Sequence, residues 1–309
     1  MSGQAAPAAR RGGQLLRVAV AQYPIDRHTT WSDYAAKLGS WVAAAAGERA
    51  QLLVFPEYGA MELASLFPEP VPGDLAASLE AVAALEPRII ELHGSLARRH
   101  GVHILGASHP ALGPDGRFHN RARLYGPEGR HAHQDKIVMT RFEREVWGVA
   151  GGDRLCLLDT ALGRIGVCIC YDVEFPLLAR ALAEAGAEII LAPSQTETLQ
   201  GYWRVRVGAQ ARALENQCLV AHAPVVGAAA WSPAVDVSRG AAGVYGPPDT
   251  GFPEDGVLAL GEEGRPGWTF ADLDLAAVAR VRSDGTVLNH AHWPEQTLPL
   301  HAPPVLQRV

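Results

Sequence analysis

The chain has 309 residues, of which 48% are hydrophobic and 19% charged, so it holds enough apolar material for a sizeable core and too little charge for a disordered protein. Its formal net charge of -6 argues against the basic stripe that nucleic-acid binding normally requires and points to a small molecule as partner. The four cysteines, Cys156, Cys168, Cys170 and Cys218, sit in or beside apolar runs rather than at the spacings of a disulfide framework, and are read as reduced thiols.

Met1 to Gly13 is rich in Ala, Gly and Arg and has no apolar signal core, so residues 1–13 are expected to form a flexible tail and residues 14–309 a single domain. Runs rich in Val, Ile and Leu, bounded by Gly or Pro, predict strands at Leu16–Gln22, Leu52–Phe55, Val102–Ala107, Asn120–Tyr125, Arg164–Ile169, Ile189–Ala192 and Leu219–Pro224. Helices are expected between them. Trp31–Ala50 has the length and Ala content of one, Glu86–His100 has Pro87 near its start, and Pro176–Gly186 opens on Pro and closes on Gly. Residues 202–218 place Val207, Ala211, Leu214 and Cys218 on one helical face. This alternation indicates an α/β protein. Between Arg99 and Gln134, the turn signals Gly-Pro-Asp-Gly and Gly-Pro-Glu-Gly predict hairpins and hence a mixed sheet. From Val225 onward the Gly- and Pro-rich sequence reads as long ordered loops. No apolar run reaches the roughly 18 residues of a membrane span, and the expected compartment is the cytoplasm.

Three residues occupy places suited to chemistry. Cys170 ends the strand-like run Arg164–Ile169 where the chain turns toward Pro176; amide N–H groups and a helix dipole there favour a thiolate. By local pattern alone the same cysteine serves equally as a small core residue. Glu57 directly follows the buried-looking Leu52–Pro56, where apolar walls raise a carboxyl pKa toward that of a general base. Taken alone it is as readily a loop or helix-start carboxylate. Lys136, between His131–Asp135 and Ile137–Met139, is either a solvated surface lysine or a fixed charge for an oxyanion.

Together the motifs are more specific. Phe-Pro-Glu at 55–57, the Lys136 segment ending in Gly151-Gly152-Asp153, and Cys-Tyr-Asp-x-x-Phe-Pro at 170–176 resemble, in order and spacing, the nitrilase or carbon–nitrogen hydrolase superfamily. The likeness runs from about Leu16 to Ala223 and includes Ala187–Ser194 and Ala211–Gln217. It implies a four-layer α-β-β-α sandwich and a catalytic Glu57, Lys136 and Cys170. It further implies homodimers or higher homo-oligomers that pair across helices near the active site. A second glutamate accompanies the triad in that superfamily. Glu143 and Glu145 both stand in the right segment, and counting back from Gly152-Asp153 selects Glu145.

The resemblance carries a mechanism: Cys170 attacks an amide carbon while Glu57 takes its proton, and Lys136 with the Tyr171 backbone N–H holds the oxyanion. No cofactor and no metal is expected. The doublets His131/His133 and His290/His292 lack a third ligand motif. Cys170-Tyr171-Asp172 resembles the amidase and carbamoylase side of the superfamily, whereas nitrilases usually carry Cys-Trp-Glu; a small amide or N-carbamoyl compound is therefore the expected substrate. Action on a nitrile, acyl transfer to an amine and a non-catalytic scaffold are the alternatives. Glu197, Tyr202, Trp203, Arg204 and Arg206 are candidates for the pocket wall, although the arginines equally suit a solvated helix face.

Overall fold

A computed structural model describes residues 15–301 and 303–307; the expected tail over residues 1–13 lies outside the described residues. The first half of the chain builds a mixed sheet from β1 (Leu16–Pro24), β2 (Leu52–Val54), β3 (His103–Leu105), β4 (His109–Leu112), β5 (Phe118–Tyr125) and β6 (His131–Asp135). The second half follows with β7 (Leu158–Thr160), β8 (Gly163–Val167), β9 (Ile189–Ser194), β10 (Leu219–Ala228), β11 (Val237–Ser238), β12 (Gly243–Tyr245) and β13 (Val257–Leu260). The last strand, β14 (Gly267–Leu273), returns to the first sheet. Strands β1, β2 and β3 run parallel, as do β8, β9 and β10. The expected hairpins β4–β5 and β5–β6 close on the two Gly-Pro turns. The sheets join where Tyr23 and Pro24 at the end of β1 meet Val225 and Val226 of β10.

Strand alternation sorts the side chains into layers. Val18, Val20, Leu52 and Val54 of the first sheet share one buried cluster with Ile165, Val167, Ile189 and Leu191 of the second. This is the space between the sheets. The opposite faces carry helices: Ala19, Ala21, Leu53 and Phe55 pack under α1 (Trp31–Gly47). A short helix α2 (Leu75–Ala83), then α3 (Glu86–His100), α4 (Pro176–Glu184), α5 (Leu199–Asn216) and α6 (Leu275–Asp284) follow in chain order. The result is the α-β-β-α sandwich, with α1 and α3 outside the first sheet and α4 and α5 outside the second. Each fully buried Val or Leu in these layers contributes about 1.5–3 kcal/mol.

The region after Val225 departs from the expected loops. Strand β14 pairs antiparallel with β1 over seven positions, from Leu16↔Leu273 to Gln22↔Gly267, and α6 follows with Asp274 as its N-cap. Frequent Gly and Pro in that region mask the alternation of Gly267–Leu273, whose inward face becomes evident only once β1 offers it an edge. The 15–301 core contains no helix long and apolar enough to cross a membrane.

Candidate active site

The parallel strands of both sheets point their carboxyl ends the same way, and the expected residues converge there. Glu57 stands two residues past Phe55, which is held to β3 by its N–H on the Leu105 carbonyl. Lys136 follows β6; its N–H donates to the Asn120 carbonyl at 2.9 Å and its carbonyl accepts from Gly152 N–H at 2.7 Å. A Cβ on Gly151 would lie 2.6 Å from the Ile137 carbonyl oxygen. This close approach explains why glycines precede Asp153 in the motif.

Lys136 Nζ donates to Glu57 Oε1 at 2.7 Å and to Glu143 Oε2 at 2.6 Å, and all three side chains are at most 3% exposed. Asn120 Nδ2 donates to Glu57 Oε1 at 2.9 Å, the Gln195 N–H to Glu57 Oε2 at 2.9 Å, and the Tyr58 hydroxyl to Glu143 Oε1 at 2.9 Å. Glu143 Oε2 also accepts from the N–H and hydroxyl of Thr140, at 3.0 and 2.8 Å.

One ammonium between two carboxylates leaves the cluster with a net negative charge, and this sets the protonation states. Burial raises the Glu57 carboxyl above its usual range and the Glu143 charge adds to this, against the pull of Lys136. Burial also works to raise Glu143, but Lys136 and the Thr140 donors outweigh it and keep that carboxyl low. For Lys136 burial pulls downward, while Glu143 and Glu57 hold the ammonium well above its ordinary value.

Cys170 does not continue its strand. Its φ is +49°, a left-handed conformation that costs a non-glycine residue roughly 1–3 kcal/mol, and it opens a short helical turn, Cys170–Glu174. The turn swings the thiol away from the layer occupied by Cys168 and toward Glu57. Its Sγ donates to the Gln195 carbonyl at 3.5 Å. Burial pushes this thiol well up, and the Glu57 charge pushes it further, with Lys136 only partly offsetting both. Burial thus works against the thiolate expected at a helix start, and the sulfur lies beside the Glu57 carboxyl group.

Two further groups hold the turn in place. Asp172 Oδ1 accepts from the N–H groups of Ile137 and Val138, at 3.1 and 2.8 Å, and Oδ2 accepts from Ile169 N–H at 3.2 Å. It thereby ties the Lys136 segment to the Cys170 turn. Arg212 of α5 donates to the Val173 carbonyl at 2.8 Å. Gly208 lets α5 come close, since a Cβ there would lie 3.0 Å from that same oxygen.

The second carboxylate is Glu143, and the choice of Glu145 is corrected. Glu145 is on the surface, its carboxylate paired with Arg141 at 3.0 Å and 52% exposed. Residues 142–147 wind as a wide helical turn ended by Gly148 at φ +77°. Such a turn changes the residue count between Lys136 and Gly152, so counting back from Gly152-Asp153 misplaces the inward face. The Thr140 cap is the local signal that picks Glu143.

Asn120, Tyr58, Asp172 and Gln195 were not singled out by sequence reasoning as site residues. Asp172 stood in the quoted motif, but its role depends on amides contributed from residues 137 and 138. Of the suggested wall residues, Tyr202 is buried against His222 and Trp203 is half exposed on α5. Arg206 lies 4.8 Å over the Trp203 ring. Arg204 faces Glu174 on the Cys170 turn at 3.6 Å, and Glu197 is exposed. His131 lies beside Arg123, with Nδ1 3.2 Å from the guanidinium. Among the described residues no three His, Cys, Asp or Glu side chains are gathered as for a metal ion.

This sandwich and this convergence of residues define the class. The carbon–nitrogen hydrolase family model matches residues 17–279, and the chain belongs to that family. It is 34% identical over 272 residues to a probable hydrolase, YhcX, of Bacillus subtilis, covering 88% of this chain and 52% of that protein. It is 35% identical over 148 residues to a deaminated glutathione amidase of Yersinia enterocolitica, covering 43% of this chain and 50% of the other. The chain thus spans about half the length of these curated relatives. A carbon–nitrogen hydrolase structure from Helicobacter pylori superposes with a TM-score of 0.72 at 18% identity, covering 92% of this chain and 94% of that one; this likeness concerns the fold.

Proposed function

We propose that the chain hydrolyses the carbon–nitrogen bond of a small amide or N-carbamoyl compound through a thioester on Cys170. The observation that carries the reading is the convergence of a buried Glu57, the Lys136 ammonium 2.7 Å from it and the Cys170 thiol, with the Gln195 backbone touching both the thiol and the carboxylate. As Sγ attacks the carbonyl carbon, its proton passes to Glu57 and a carbon–sulfur bond forms. Lys136 has three N–H donors, of which Glu57 and Glu143 take two; the third serves the developing oxyanion, together with the Tyr171 backbone N–H. The carbon–nitrogen bond then breaks, and the amine or ammonia leaves with the proton from Glu57. Water next gives its proton to Glu57 and attacks the thioester. The carbon–sulfur bond breaks and Cys170 recovers its proton, leaving the acid product. Glu143 stays ionised and holds Lys136 charged and in place.

The amidase reading is supported by Cys170-Tyr171-Asp172 and by the kinship with a deaminated glutathione amidase. An assembly into homodimers is proposed across the α4–α5 layer, where Leu177, Leu199, Trp203, Val207 and Leu214 are exposed; such an apolar patch favours a partner surface. Four free thiols fit a reducing cytoplasm.

The test is a screen of small amides, ω-amides, N-carbamoyl compounds and matched nitriles, following ammonia release, with intact-mass detection of an acyl adduct on Cys170. Turnover of an amide or carbamoyl compound with that adduct is expected. Consistent preference for the nitrile of each pair in kcat/KM would overturn the substrate class, and an adduct elsewhere would overturn the mechanism.

A further inference from the structure

Behind the site lies a buried serine–histidine pair that the mechanism does not use. Ser194 ends β9, and the register sets Ser194 opposite Pro224 and Ala192 opposite His222 on β10. Ser194 and His222 are thus diagonal neighbours on one face of the second sheet, the face toward α5. Ser194 Oγ and His222 Nε2 are 2.7 Å apart, and the two residues are 1% and 0% exposed. Tyr202 of α5 stacks on the imidazole, with centroids 6.0 Å apart and planes at 19°. Burial, reinforced by the Arg206 guanidinium, holds His222 down to about 3, so the ring is neutral. The other titratable group near it is Tyr245, whose hydroxyl folds back over Gly243, the β12 partner of His222. A hydroxyl sealed this completely cannot meet a substrate, so the pair is no second nucleophilic centre.

What it adjoins is Gln195. The N–H of that residue donates to Glu57 Oε2 at 2.9 Å and its carbonyl accepts from the Cys170 thiol at 3.5 Å. One residue's backbone therefore touches both groups between which the proton moves. Gln195 lies past the end of the β9–β10 ladder, and that end is short of donors, because Pro193 and Pro224 have no N–H. Side-chain anchors stand in for the missing ladder bonds. On one side Gln195 Nε2 donates to the Val237 carbonyl at 3.1 Å and to Ser238 Oγ at 3.3 Å. On the other side stands the Ser194–His222 bond.

We infer that Ser194 and His222 are positioning residues: their hydrogen bond fixes the end of β9, and with it the Gln195 backbone that aligns Glu57 with Cys170. The inference rests on the reading of Glu57 as base and Cys170 as nucleophile. Its test uses a probe that needs no knowledge of the natural substrate, iodoacetamide, with labelling of each cysteine followed by mass spectrometry as a function of pH. Around Glu57 the groups that shape the profile are Lys136, Glu143, Cys170 and Tyr58. Ser194→Ala removes a single oxygen and His222→Leu removes the partner. Each is expected to slow Cys170 labelling at pH 7 roughly 10- to 100-fold, the scale of a misaligned reacting pair. Each is also expected to move the acid limb upward, since a Glu57 carboxylate that loses the Gln195 N–H holds its proton more tightly. Cys156 should label at the wild-type rate throughout. His222→Gln, which retains a hydrogen-bonding group for Ser194, should restore labelling to within a few-fold of wild type.

Folded Ser194→Ala with wild-type labelling and an unmoved acid limb would overturn the inference, as would His222→Gln labelling as slowly as His222→Leu. Should His222→Leu not fold, Ser194→Ala carries the test by itself. If Cys170 of the wild type labels no faster than Cys156, the reading of the active site fails instead, so the two failures are distinct.

Discussion

Two lysines in this molecule sit between carboxylates, and only one of them adjoins a thiol. Lys37 of α1 donates to Glu62 Oε2 at 2.6 Å, to Asp26 Oδ2 at 2.8 Å and to the Pro24 carbonyl at 2.6 Å. Its third proton is already used. Glu62 is further capped by the Tyr23 hydroxyl at 2.6 Å and the Asp26 N–H at 3.1 Å, and Lys37 lies 4.1 Å over the Tyr23 ring. Burial, then the Glu62 charge, raises that phenol well above its usual range, so it holds its proton and only donates. This cluster joins the end of β1 to α1 and to residues 59–66. Lys136 has the same kind of partners but spends two protons on them, and a thiol stands beside one of those carboxylates, Glu57. Charge and burial alone thus make an anchor; a spare donor and a strained cysteine turn are what set the proposed active site apart.

The sharpest way to break the comparison is to remove the feature that Lys37 lacks. Cys170→Ala and Cys170→Ser should abolish turnover with the fold intact by circular dichroism, whereas serine in place of Cys156 or Cys168 should leave turnover near wild type. Substantial activity in Cys170→Ala would show that the thiol is not the distinguishing element.

Next come the charges. Glu57→Gln and Lys136→Ala should each lower kcat by about 100-fold or more, the scale of losing a general base or an oxyanion donor. Glu57 must be ionised to accept the thiol proton, and its affinity for a proton is raised. The acid limb of kcat/KM should therefore fall above the ordinary value of a glutamate side chain, with activity lost as pH drops through it. A limb below that value would contradict the assignment.

A smaller contrast separates the two glutamates of the wide turn. Glu143→Gln should cost roughly 10- to 100-fold in kcat by loosening Lys136, while Glu145→Gln should stay within about twofold, since its surface pair with Arg141 is of a kind worth about 1 kcal/mol or less. Equal losses would remove the basis for choosing between them.

Lys37→Met should sharpen the comparison from the other side. Stranding Glu62 without its ammonium is expected to lower unfolding stability by on the order of 3–5 kcal/mol, measured by urea denaturation, with kcat per folded molecule within a few-fold of wild type. A large fall in kcat at unchanged stability would mean that the Lys37 cluster belongs to the chemistry.

Much of this was legible along the chain. The seven expected strands, helices α1, α3, α4 and α5 and the two hairpins follow from local runs and turn signals, whereas Glu57, Lys136 and Cys170, which the structure brings together, are marked out by motifs that resemble a known family. Other features were not. The pairing of β14 with β1 joins residues more than 240 positions apart in Gly- and Pro-rich sequence, and no local pattern encodes that partner. Glu143 and Glu145 stand in one segment; the Thr140 cap marks Glu143 locally, but the winding of residues 142–147 is what turns it inward.

The sequence by itself determined which groups could react, because residue type fixes a thiol, a carboxylate or an ammonium wherever it stands, and apolar alternation fixes which segments are buried. Tertiary structure alone decided their states. Desolvation raises Glu57 and Cys170, while the shared ammonium and the Thr140 donors hold Glu143 down. These effects act over a few ångströms through space, between residues that lie tens of positions apart in the chain, and so have no counterpart in its local pattern.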